Sequence, residues 1–88
     1  MAGVFVHPSE LRASELRAVL ALHKHGKPAP VSAGHCFAAK MAIRWDAFLH
    51  LIDLGLAYWV GRGERVDLTP AGHGMARGLE HRRIVGYD

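Results

Sequence analysis

Side chains able to do chemistry cluster in three places along the chain: His23-Lys24-His25, His35-Cys36 and Gly72-His73-Gly74. Imidazole and thiolate suit zinc, but a structural site needs several ligands at a defined spacing, and Cys36 is the single cysteine. No metal site is expected. A cysteine beside a histidine also has the composition of a nucleophile and its base. In a helix, however, adjacent side chains diverge by about 100°, so the two would not meet. Cys36 therefore reads as a buried helical residue. Gly72-His73-Gly74 has neither the length nor the spacing of a phosphate-cradling loop. With no carboxylate pair in a defensible arrangement, the sequence is expected to carry no catalytic residue and no cofactor. The histidines read as helix-end charges (His23, His25), a partial core contact (His50) and exposed residues (His73, His81).

Binding chemistry is the stronger theme. Eleven Lys and Arg against eight Asp and Glu give a net charge of +3, before any contribution from the seven histidines. That balance permits nucleic acid or an acidic partner without requiring either. Half the residues are apolar, the composition of an ordered globular chain rather than a disordered tail. The apolar-rich stretch from Ala42 to Val60 contains Arg44, Asp46, His50 and Asp53, and this charge excludes it as a membrane span. A cytoplasmic location, with no membrane partner, is the expectation from the lone cysteine and from the lack of a basic-then-apolar leader pattern near Met1.

The elements that would hold these side chains follow from periodicity and punctuation. Leu16, Val19, Leu20 and His23 share a helical face, predicting a first helix from Ser9 to about His25. Ser9 or Ser14 would be its N-cap, and Gly26 would end it ahead of Pro28 and Pro30. Ser32 would cap a short second helix reaching about Met41, with Cys36 and Phe37 among its apolar contacts. Ala47, Phe48, Leu51 and Leu54 predict a third helix from Ile43 or Arg44 to Leu54, closed by Gly55. Leu56–Val60 and Arg65–Leu68 read as strands joined through Gly61-Arg62-Gly63-Glu64. Thr69-Pro70 opens a last helix from Ala71 to about Arg83. The chain is thus expected to be one domain over 1–88, with an N-terminal arm (1–8) and a frayed tail (84–88).

The run Leu51-Ile52-Asp53-Leu54-Gly55-Leu56-Ala57, followed by Val66-Asp67-Leu68-Thr69-Pro70-Ala71-Gly72, resembles the carboxyl half of winged-helix transcriptional regulators of the MarR and PadR-like kinds. The resemblance implies a mainly α winged helix-turn-helix fold in the order helix, helix, helix, strand, strand, helix. It makes residues 32–41 the positioning helix, 44–54 the recognition helix and 61–65 the wing tip. It also implies a small regulator or accessory protein on double-stranded DNA, as a monomer or a homodimer, with Ser32, Arg44, Trp45, His50, Arg62 and Arg65 at the interface.

The composition of the third helix supports an alternative partner. Arg44 is its only strongly basic residue, and Asp46 beside Trp45 and Leu49 would repel phosphate while offering apolar contact. An alternative protein-binding surface therefore comprises Trp45, Asp46, Leu49 and Trp59, as would suit an inhibitor, a complex subunit or an adaptor.

Overall fold

Three helices and a sheet share one apolar core because each contributes a single buried stripe. The computed structural model describes residues 8–84. A short 3-10 turn (Pro8–Glu10) leads into α1 (Ala13–His25); three strands, β1 (Ala29–Ser32), β2 (His35–Ala38) and β3 (Met41–Arg44), precede α2 (Trp45–Asp53); β4 (Ala57–Val60) and β5 (Arg65–Leu68) precede α3 (Pro70–Ile84). The strands form one five-stranded antiparallel sheet in the order β3-β2-β1-β5-β4. The expected arm and tail lie outside the described residues, apart from Pro8 and Ile84 at their boundaries.

The fold is therefore α+β, which corrects the expected mainly α winged helix-turn-helix. The difference lies in residues 29–44, where β1, β2 and β3 stand in place of a turn and a helix. Where the sequence predicts a helix over 32–41, the chain makes two consecutive hairpins. Ser32 pairs with His35 around Ala33-Gly34, and Ala38 pairs with Met41 around Ala39-Lys40. Both two-residue loops hold positive φ at both positions, 52° and 79° in the first and 49° and 65° in the second. That is the backbone twist a tight hairpin needs. Three of these four residues are not glycine, so each bears roughly 1 kcal/mol or more of left-handed strain. Burial offsets it: Cys36, Ala38 and Ile43 alternate inward and are almost fully buried. Small helix-favouring alanines disguise a period-2 pattern that tertiary packing then enforces.

The helix starts shift as well. α1 begins at Ala13 with Arg12 as N-cap, rather than with Ser9 or Ser14. The Arg12 backbone N–H donates to Glu15 Oε1 at 2.9 Å, and the Glu15 and Leu16 N–H groups return to the Arg12 carbonyl. Gly26 ends the helix in the left-handed region as expected (φ 74°). α2 begins one residue after Arg44, because Ile43 and Arg44 belong to β3.

β4, β5 and α3 lie where the sequence puts them, to within a residue or so. Thr69 caps α3: its hydroxyl accepts from the Gly72 N–H at 3.2 Å and donates to the Gly55 carbonyl at 2.7 Å. Gly72 is indispensable to this seat, since a Cβ there would stand 2.1 Å from the Leu56 carbonyl oxygen. The inward residues of all five strands meet α1, α2 and α3 on one side, around Phe48, Leu22, Ile43, Leu51, Leu56, Val19 and Val66. The molecule is a two-layer slab, 37 × 34 × 21 Å. Among the described residues, no element covers the opposite face of the sheet.

Candidate nucleic-acid interface

Strand alternation decides what that open face carries. With Ala29, Cys36, Ala38, Ile43, Ala57, Val66 and Leu68 buried inward, the intervening residues must point out. The register arranges them in rows. Arg44, His35 and Ser32 lie side by side across β3, β2 and β1. Ala42 and Phe37 pair on β3 and β2, and Pro30, Arg65 and Val60 on β1, β5 and β4; continuing the β1–β2 register one residue beyond Val31 and Cys36 aligns them as a second row across the sheet. Tyr58 and Asp67 form a third, shorter row on β4 and β5. Phe37 and Tyr58 are 44% and 46% exposed, unusual for aromatic residues in a domain with a well-filled core.

The six residues expected to touch DNA separate into two groups. Ser32, Arg44 and Arg65 come together on this face, and Arg62 stands exposed in the β4–β5 turn at its margin. Trp45 and His50 lie off the sheet face itself, although Trp45 lines a surface pocket beside His35 and Arg44. Trp45 opens α2 and packs edge-on against Phe48 (centroids 5.3 Å apart) and at 6.2 Å from Trp59. His50 turns back toward α1, its Nδ1 2.5 Å from Glu15 Oε2. No recognition helix projects from the molecule: α2 packs against α1, β2, β3 and β4, and the charged side chains it exposes are Asp46 and Asp53.

Sequence reasoning missed His35, Phe37 and Tyr58 as surface residues. It counts Phe37 among the apolar contacts of a second helix and does not single out Tyr58, yet both point outward. For Phe37 the signal is present in the alternation of His35 and Phe37 with Cys36 and Ala38. The His35 and Phe37 rings, two residues apart on one strand face, lie 6.3 Å apart.

No family model, curated protein or solved structure matches this chain. What it can do must come from its own groups. The open face and its turns carry Lys40, Arg44, Arg62 and Arg65 against Glu64 and Asp67, a local positive excess beside exposed aromatic rings. Arg44 is 80% exposed, with its Nε 3.6 Å from Asp46, so that ion pair is solvated and weak. The guanidinium stays available to an anion.

The other titratable groups serve the fold. His35 and Cys36 point to opposite sides of β2, so they form no nucleophile and base. Cys36 is a buried strand residue, not a helical one, and burial pushes its thiol up to about 11. Burial of Glu15 would by itself raise its carboxyl. The Arg12 backbone N–H and the His50 ring outweigh it, holding the group below its ordinary value. His23 Nδ1 meets His73 Nδ1 at 2.9 Å, and His23 Nε2 lies 3.4 Å from Glu80. His73 is thus half-buried between α1 and α3, not solvent-exposed. Among the described residues no group of three or more His, Cys, Asp or Glu could hold a metal ion.

Proposed function

We propose that this chain is a small nucleic-acid-binding protein, a regulator or accessory factor working in the cytoplasm, that binds through the open face of its sheet. A recognition helix plays no part. The observation that carries this reading is the convergence of Arg44, Arg65 and Ser32 with His35, Phe37 and Tyr58 on one surface that no described element covers. Cations close to phosphate supply affinity through counterion release, and aromatic rings supply contact to bases. No helix of the described residues is long and apolar enough to cross a membrane.

The experiment is a titration of labelled nucleic acid at several salt concentrations. Binding should weaken steeply with salt. Arg44→Ala and Arg65→Ala should each weaken it across all sequences and flatten the log–log salt dependence by about one unit for each phosphate no longer neutralised. Absence of binding at low salt would end the proposal.

A second reading rests on the start of α2, which adjoins Arg44 and His35. Trp45 is 49% exposed while resting on Phe48 and Trp59, with Asp46 and Leu49 beside it. An aromatic anchor next to a carboxylate suits a protein partner better than a phosphate backbone. Under this reading Trp45→Ala releases a stoichiometric protein found on purification from cells and leaves nucleic-acid binding intact. Retention of that protein by the variant would rule the reading out.

A further inference from the structure

Nucleic-acid binding in general leaves open which form of nucleic acid fits the uncovered face. We infer that the occupant is a single strand, DNA or RNA, whose bases stack on Phe37 and Tyr58 while Arg65 and Arg44 hold its phosphates. This rests on the nucleic-acid reading above and narrows it.

Shape comes first. A duplex turns its phosphates outward and offers base edges only within its grooves, which are entered by a projecting helix, a β-ribbon or an inserted arm. The face here is the broad side of a five-stranded sheet, too wide for a groove. The helix next to it, α2, is packed into the molecule and exposes Asp46 and Asp53. A duplex would therefore meet only the cations, leaving Phe37 and Tyr58 without a partner. A single strand lays both its bases and its backbone on a surface, and every base has a ring face to stack.

Spacing and charge agree with this. Phe37 on β2 and Tyr58 on β4 are three strands apart and offset by two residues, since Phe37 shares its row with Val60. Strand spacing and rise put the two about 16 Å apart. That is too far for neighbouring stacked bases, so the two rings take bases separated by intervening nucleotides. Arg65 lies in the Phe37 row between the two aromatic strands, where the connecting backbone must pass. Arg44, beside His35 in the adjacent row, extends the positive track on the Phe37 side. A second copy of the chain is a poor occupant, because a two-fold contact through this face would bring together two surfaces with the same positive excess.

The test is fluorescence anisotropy on the full chain with a short mixed-sequence single-stranded DNA, the matching RNA, and the duplex of the same DNA. Either single strand should bind at least about tenfold more tightly than the duplex at the same salt. Phe37→Ala and Tyr58→Ala should each weaken single-strand binding by roughly five- to a hundredfold, the range for removing one stacked base. Phe37→Trp and Tyr58→Phe should retain it. Both rings are exposed, and circular dichroism of each variant checks that the fold is kept. Duplex binding equal to or tighter than single-strand binding, or single-strand affinity unmoved by both alanine variants, overturns this inference while leaving nucleic-acid binding in place. No binding of any of the three at low salt overturns both.

Discussion

The two ends of the sheet are built from hairpins of similar size, yet one is legible in the sequence and the other is not. β4–β5 announces itself: Tyr58, Trp59 and Val60 precede a turn with Gly61 and Gly63, both at positive φ (71° and 81°), and Val66 and Leu68 alternate with charges. β2–β3 gives the opposite impression. Its connection is Ala39-Lys40, two good helix formers, flanked by Ala38 and Met41, which favour a helix as well. Yet Ala39 and Lys40 take the positive φ that glycine would adopt without strain. The contrast teaches that turn chemistry, more than strand composition, makes a hairpin readable. It also bears on function, because the illegible hairpin supplies His35, Phe37 and Arg44 to the open face.

The contrast can be broken most strongly at the core. Ile43 on β3 is almost fully buried, so Ile43→Ala should cost about 2–5 kcal/mol in a chemical-denaturation measurement. Its neighbour Ala42, on the outward face, should accept Lys with a change within about 0.5 kcal/mol. Equal effects at the two positions would refute the inward and outward assignment of the whole β2–β3 hairpin. At the legible end, Gly72→Ala drives a Cβ against the Leu56 carbonyl and should destabilise by about 3 kcal/mol, read as a fall in Tm. An unchanged Tm would mean that α3 does not seat on the start of β4 as described.

The sharpest comparison uses the turn itself. Replacing Ala39 with Asn and Lys40 with Gly installs the pair most favoured in two-residue hairpin loops. It should stabilise the protein by about 1 kcal/mol by relieving left-handed strain. If residues 32–41 were a helix, the same double substitution would destabilise it, since both replacements are poorer helix formers. The sign of the change in Tm separates the two.

The smallest effect lies at the joint between α1 and α2. Glu15 has a folded-state pKa below its ordinary value. The stability it contributes is therefore complete above the unfolded carboxyl pKa of about 4.3 and disappears as pH falls through the lower folded value. Glu15→Gln should flatten the acid limb of the stability–pH curve relative to the parent chain. A limb of unchanged slope would mean that the Arg12 and His50 contacts do not favour the carboxylate.

Local signals are sufficient wherever a residue type has one dominant backbone use. Gly26 as a helix stop, Gly55 as the turn out of α2, Gly61 and Gly63 between β4 and β5, and Thr69-Pro70 as the start of α3 all read correctly. Each reports a conformation that few other residues favour. Of these signals, Gly55 and Thr69-Pro70 are the ones on which the sequence resemblance to winged-helix regulators rests, and both follow α2. Arg44, Arg65 and Ser32 stand out within that framework. They do share a surface, but as members of a sheet rather than of a helix and its wing.

What the sequence by itself determined is the punctuation of the chain, the helical state of α1 though not the face it buries, which is Ala18, Val19 and Leu22 with Glu15 rather than Leu16, Leu20 and His23, the α2 core stripe through Phe48 and Leu51, and the β4–β5 hairpin. Only the tertiary structure decided the state of residues 29–44, and with it which side chains lie on the open face. The physical reason is that helix propensity in that segment is worth a few tenths of a kcal/mol per residue. Pairing with β5 through β1 and burial of Cys36, Ala38 and Ile43 against α1 and α2 are worth more. Those contacts are distant in sequence, so no local pattern could weigh them.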